Sequence, residues 1–235
     1  MIHLIETTHA GSVPASELPD WALSHGVTSL STAEVMHLCG LPANQVSQRM
    51  ASLRKGGKLF SPARGLWVPI PPEYRTWGAP DPMGYIDDMM AHLGAGYLVG
   101  WLTAAERHGA SHHAAQVFQV ATDKTVRARA FGRSRLEFYA RSYVGSATQS
   151  AELLRNTGVR VASPGTTMLM LAADPGMCGG MSNVANLVIE LAEEHPDFEA
   201  EATTDAPLFP DAAARRLGWL LDAFEAYCGE LEEAR

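Results

Sequence analysis

The sequence predicts an α+β protein, and three features carry that expectation. Residues 30–70 follow helix punctuation twice and then hold two short strand-like runs. Pro69, Pro71, Pro72, Gly78, Pro80 and Pro82 crowd the next segment, as a domain boundary or stiff linker does. Beyond it, helical stripes return, enclose candidate strands between residues 116 and 162, and give way to helices again. The expected division is residues 1–76 and residues 77–235, the second part being mixed α+β around a small, mostly antiparallel sheet.

Residues 21–25 read as the end of a first helix, with Gly26 after it and Pro14 and Pro19 breaking anything longer. Ser31 or Thr32 can cap the next helix, with Glu34 early in its first turn and Val35, Met36, Leu38 and Cys39 as its apolar face. Gly40 stops it, Pro42 turns the chain, and Asn44 is the expected cap of a further helix. There Val46, Met50 and Leu53 recur at i, i+4 and i+7, one buried stripe. Gln45, Gln48, Arg49 and Ser52 lie off that stripe. Gly56 and Gly57 end the helix, and the strand-like runs 58–61 and 65–70 flank a turn at Pro62-Ala63-Arg64-Gly65.

Helix, turn, helix and hairpin is the layout of a winged helix-turn-helix. Between Asn44 and Gly65 the charged residues are Arg49, Arg54, Lys55, Lys58 and Arg64, with no acid among them. Such a stretch attracts a phosphate backbone. The amide and guanidinium groups of Gln45, Gln48 and Arg49 suit base edges in a major groove. The expected DNA-binding set is therefore Gln45, Gln48, Arg49, Ser52, Arg54, Lys55, Lys58 and Arg64. The competing reading is a small helical subdomain with a solvated charged face.

In the second part, Tyr85, Ile86, Met89, Met90 and Leu93 form one helical stripe. Tyr97, Leu98, Trp101, Leu102 and Ala105 form another, ending at His108-Gly109. Candidate strands are 116–121, 128–131, 136–140 and 159–162. Ser163 or Thr166 would cap a helix running through Leu171, and residues 177–181 are a glycine-rich loop. Ser182 would cap helix 183–194, and Asp211 the last helix, with Leu217, Leu220, Leu221 and Phe224 inward.

The net charge of −8 is unevenly spread. Residues 120–160 are basic, through Lys124, Arg127, Arg129, Arg133, Arg135, Arg141, Arg155 and Arg160; from residue 185 onward acids dominate, and only Arg215, Arg216 and Arg235 oppose them. An acidic C-terminal region suits a second partner or solubility, not DNA. The basic middle reads either as extra phosphate contacts, as a dock for an acidic partner, or as a solvated strand face. No apolar run reaches the roughly 18 residues a membrane span needs, and the start MIHLIETTHAG has no basic n-region or long apolar core, so no signal peptide is expected. Cys39, Cys178 and Cys228 are far apart and odd in number, which fits a reducing cytoplasm better than a disulfide framework.

Two stretches invite chemistry. His108 and His112, with His113 beside them, have the i, i+4 spacing of zinc ligands, but Gly109 interrupts the helix and no cysteine or carboxylate lies close. Cys178 sits in a glycine-rich loop, but without a following lysine or an evident base. No metal, cofactor or catalytic residue is expected.

The segment VGWLTAAERHGASHHAAQVFQVATDK, the basic strand region, VRVASPGTTMLMLAADP and the late AARRLGWLL together resemble the AbiEi family of antitoxins over about residues 30–225. In that family a strand is followed by a helix with an acidic residue near its start; SPGTTMLML lacks it here, so no residue role is carried into the second domain. The resemblance implies an N-terminal domain that binds inverted repeats in its own promoter DNA and represses the operon. It implies a C-terminal domain that counters a nucleotidyltransferase-like toxin in phage abortive infection. The expected function is thus a DNA-binding antitoxin and autorepressor, not an enzyme. The alternative is a one-component transcriptional regulator whose second domain binds a small ligand. An enzymatic second domain ranks last, because the acids of the C-terminal third fall in no catalytic pattern.

Overall fold

The computed structural model describes residues 9–110, 117–147, 152–153 and 158–233, the side chains of 152–153 and 227–233 aside. It is α+β, and it divides into two compact units. The first comprises the described residues up to Ala95 together with Ala128–Leu136, and the second comprises Gly96–Arg127 and the described residues from Glu137 on.

In the first unit, helix α1 (Leu18–Ser24) precedes strand β1 (Leu30–Ser31) and helices α2 (Thr32–Cys39) and α3 (Ala43–Lys55). Ser31 and Glu34 form a capping box: the Ser31 hydroxyl accepts from the Glu34 amide at 3.2 Å, and the Glu34 carboxylate accepts from the Ser31 amide at 2.6 Å. Gly40 closes α2 in the left-handed region at φ +63, where a side chain would be strained. Pro42, not Asn44, stands at the start of α3; its extended ψ of 151 lets Ala43 begin the helix, so Asn44 is already inside it.

Strands β2 (Leu59–Ala63) and β3 (Leu66–Pro69) pair through Ala63 and Leu66, so the turn is Arg64-Gly65 and Pro62 belongs to the strand. Gly65 takes φ +82 there. Strand β1 adds on the other edge of β3, giving the order β1–β3–β2. Val13, Leu18, Val35, Leu38, Val46, Met50, Leu59 and Trp67 close the core between sheet and helices. Helix α4 (Ile86–Leu93) follows two short 3-10 turns, and its Ile86, Met89 and Met90 are fully buried.

A hairpin from later in the chain belongs to this unit. Strand β6 (Arg129–Phe131) pairs with the start of β7 (Ser134–Ala140), and Phe131 stacks against Phe60 at 5.1 Å. At the hairpin turn the Arg133 amide donates to the Trp77 carbonyl at 3.1 Å, and a Cβ on Gly132 would lie 1.6 Å from that oxygen. Only glycine fits that approach.

In the second unit, strand β4 (Tyr97–Val99) lies antiparallel to β5 (Phe118–Thr122) and parallel to β9 (Arg160–Val161). Strand β8 (Glu152–Leu153) lies antiparallel to β9. The expected helix 97–108 is thus a strand and a shorter helix, α5 (Trp101–Arg107). Residues 97–99 are buried on both faces, and a short apolar run of that kind fits either element by periodicity alone. Gly100 is extended and Trp101 takes φ +49, so the chain turns sharply between the two.

Helix α6 (Val144–Ala147) precedes α7 (Pro164–Ala173), which is buried from Pro164 through Ala172. Ser163 caps α7, and a Cβ on Gly165 would sit 2.5 Å from the Phe198 carbonyl oxygen and 2.6 Å from the Ala202 amide nitrogen. Around α7 lie α8 (Met181–Glu194), α9 (Phe198–Asp205) and α10 (Asp211–Glu233). Gly180 precedes α8, which places the expected cap Ser182 inside it. Helix α9 has no counterpart in the sequence reading, because FEAEATTD buries only Phe198, Ala202 and Asp205 and shows no helical stripe beyond one i, i+4 pair.

Candidate nucleic-acid interface

Helix α3 buries Val46 and Met50 fully and packs Leu53 against the same core. That stripe turns the remaining residues outward. Gln45, Gln48, Arg49, Ser52, Arg54 and Lys55 are all exposed, as are Asn44 and Ser47. Gln45, Arg49 and Ser52 recur at i, i+4 and i+7, and so do Gln48, Ser52 and Lys55, so the two rows share Ser52 and form one continuous polar strip. Arg54 projects from the other flank of the buried stripe. No side chain caps the helix start, and no acid stands in its first turn.

The strip continues into a shallow cavity of about 370 Å³ within this unit, lined by Ala15, Ser16, Cys39, Leu41, Arg49, Ser52 and Leu53. Burial pushes the Cys39 thiol above its usual range, so at neutral pH this wall is uncharged apart from Arg49.

The two remaining bases of the expected set differ. Arg64 is exposed at the tip of the β2–β3 turn, and the backbone there is pinned: its carbonyl pairs with the His92 ring at 2.9 Å, and the Gly65 carbonyl accepts from the Thr32 amide at 2.9 Å. Lys58 is half-buried, and its ammonium pairs with Asp20 at 3.1 Å. Arg75 reaches the same carboxylate at 3.6 Å. Lys58 is therefore already engaged, whereas the bases of α3 have no ion pair among the described residues. Sequence reasoning had no signal for this pair, since Asp20 lies 38 positions away.

Two bases of the basic middle are engaged, as Lys58 is. Arg133 stacks its guanidinium 5.8 Å from the exposed Trp77 ring within the first unit. In the second unit, Arg141 donates to Asp174 at 3.0 Å and lies 5.5 Å from the Trp101 ring and 5.8 Å from Tyr139. The Trp101 indole donates to the same carboxylate at 3.2 Å, so Arg141 is a structural cation. Arg155 lies outside the described residues.

The described residues of the two chemical stretches are held by packing and hydrogen bonds. His108 pairs its Nε2 with the Ala162 carbonyl at 2.7 Å, and the His195 ring pairs with the His108 carbonyl at 3.0 Å. His112 and His113 lie outside the described residues, among which no three His, Cys, Asp or Glu side chains are placed to hold a metal. Cys178 is fully buried; burial, then the nearby Asp174 charge, push its thiol up to about 12, so it stays protonated and unreactive at neutral pH. Among the described residues no helix is long and apolar enough to cross a membrane.

A family model of the AbiEi antitoxin C-terminal domain matches residues 97–223. The chain is similar in fold to the crystal structure of the RV2827C protein from Mycobacterium tuberculosis, with a TM-score of 0.65 and 18% identity over 92% of this chain and 80% of that one. A sequence search among curated proteins gives no match.

Proposed function

The chain belongs to the AbiEi antitoxin family, and from that premise we propose that it is a promoter-binding antitoxin that represses its own operon. The first unit acts as a winged helix-turn-helix, with α3 in the major groove and the Arg64 turn as a short wing on the phosphates. Gln45, Gln48 and Arg49 choose the site, while Ser52, Arg54, Lys55 and Arg64 hold the backbone; Lys58 joins them only by releasing Asp20. The target is double-stranded promoter DNA with inverted repeats. The second domain counters a nucleotidyltransferase-like toxin in the cytoplasm, the role the family resemblance implies, in defence by abortive infection.

One observation supports the DNA reading above the others: the outward face of α3 carries amides, hydroxyls and bases with no acid, and none of those bases is in an ion pair among the described residues. A charged strip of that kind breaks no ion pair among the described residues when it turns to phosphate, and each contact releases condensed counterions.

The test is fluorescence anisotropy of the full chain on labelled DNA from upstream of its own gene, across a series of salt concentrations. Arg49→Ala and Lys55→Ala are each expected to lower the slope of log affinity against log salt by about one. Unaltered binding by both variants at every salt concentration overturns the assignment. Co-expression with the toxin separates the two roles, since Gln48→Ala with Arg49→Ala should lose repression and still restore growth.

A further inference from the structure

The β2–β3 turn is held by a helix that lies outside the helix-turn-helix. Three consecutive carbonyls there, of Ala63, Arg64 and Gly65, each accept a hydrogen bond from a side chain. Ser61 donates to the Ala63 carbonyl at 2.7 Å, His92 to that of Arg64 at 2.9 Å, and the Thr32 hydroxyl to that of Gly65 at 3.2 Å. Ser61 and Thr32 belong to β2 and α2, whereas His92 comes from the last turn of α4. A carbonyl oxygen only accepts, so the His92 Nε2 carries the hydrogen.

Helix α4 is a firm place to hold from. Its Ile86, Met89 and Met90 are fully buried, and it packs against β2. Asp88 precedes His92 by four residues and so shares its face. Its carboxylate accepts from the Thr28 hydroxyl at 2.6 Å, just before β1. One face of α4 thus ties the approach to β1 to the β2–β3 turn. A Cβ on Gly65 would lie 3.2 Å from the Thr32 hydroxyl oxygen and 3.9 Å from the His92 Nε2, so both donors abut the turn.

The Arg64 side chain is left differently. It is exposed, and its guanidinium has no ion pair among the described residues. A long cation on a loose tip must be ordered when it binds, and a backbone fixed beforehand lowers that cost.

We propose that His92 is a positioning residue for DNA binding: by holding the Arg64 carbonyl it fixes the turn and aims the Arg64 guanidinium at phosphate. This role rests on the promoter-binding reading and adds to it a residue outside the basic strip.

The test has two arms. In the first, the folded full chain is digested briefly with trypsin without DNA, and mass spectrometry follows the Arg64–Gly65 bond, whose carbonyl His92 holds. Cleavage there should be about fivefold faster in His92→Ala, as the loss of one hydrogen bond implies, while cleavage after Lys55 is unchanged. His92→Gln, whose amide nitrogen reaches the same carbonyl, should restore the wild-type rate. In the second arm, anisotropy on upstream DNA should show His92→Ala weakened by about threefold and His92→Gln restored. In an Arg64→Ala background, His92→Ala should cause no further loss. Equal cleavage after Arg64 in wild type and His92→Ala overturns the proposal, whatever the DNA result. So does faster cleavage after Lys55 as well, failure of His92→Gln to rescue, or an added loss in the double variant, which would make His92 a DNA contact in its own right. Absence of DNA binding by the wild type, with the cleavage pattern as expected, overturns the promoter-binding reading and the aiming of Arg64 with it, while the clasp on the turn stands.

Discussion

Helices α3 and α7 are of similar length and do opposite things with their polar groups. Helix α3 buries one stripe and leaves its amides, hydroxyls and bases in solvent, without side-chain partners among the described residues. Helix α7 is buried from Pro164 through Ala172, and its polar groups are satisfied inside: the Thr166 hydroxyl donates to Asp205 at 2.5 Å, and the Gly165 amide donates to Glu201 at 2.9 Å. A buried polar group without such partners would cost stability, so those of α7 are committed to the fold. Those of α3 are available to something else. The contrast separates scaffold from interface without reference to either helix's composition.

The largest expected effect tests the scaffold side. Gly165→Val drives a side chain into the backbone of α9 and should cost roughly 3 kcal/mol, read as a lower urea midpoint. Arg141→Ala comes next. It strips Asp174 of its ion pair in a place only about a quarter exposed, and should cost roughly 2 kcal/mol while leaving promoter affinity unchanged. A loss of DNA binding with unchanged stability would move Arg141 to the interface side.

Substitutions on α3 should invert that pattern. Gln48→Ala should leave stability within about 0.5 kcal/mol and weaken promoter binding by roughly 1–2 kcal/mol with relaxed sequence preference. The comparison fails if α3 variants melt early instead. Asp20→Ala is subtler: it frees Lys58, so DNA affinity should rise slightly and the salt slope steepen by up to about one.

The effect of pH is the smallest near neutrality. The buried Cys178 thiol holds its proton from its ordinary 9.0 up to about 12 in the folded chain, while an unfolded chain releases it near 9. Its contribution is therefore complete below pH 9 and lost as pH rises toward 12. Burial raises Tyr85 and Tyr143 in the same direction. Urea midpoints should fall as pH rises above 9.

Much of α2 and α3 was legible in the sequence because local signals set it. The Ser31–Glu34 spacing forms the capping box, Gly40 takes the left-handed cap, and Val46, Met50 and Leu53 mark the inward stripe. Non-local facts were not legible. The hairpin Ala128–Leu136 belongs to the first unit through Phe131 and Gly132, whose partners Phe60 and Trp77 are remote in sequence. The Asp20–Lys58 pair is equally remote, and Tyr97–Val99 became a strand because β5 and β9 flank it. The outward face of α3 could be read from periodicity, whereas the engagement of Lys58 required coordinates.

The central claim is that the uncommitted strip of α3 binds promoter DNA. Its most direct measurement is the salt dependence of the full chain's affinity for its own upstream DNA, compared with a Gln45→Ala, Gln48→Ala, Arg49→Ala variant of unchanged urea midpoint. The account predicts that the wild type prefers upstream DNA to a shuffled duplex and that the variant binds both equally and weakly. Equal preference in the two proteins, or no salt-dependent binding by the wild type, would contradict it.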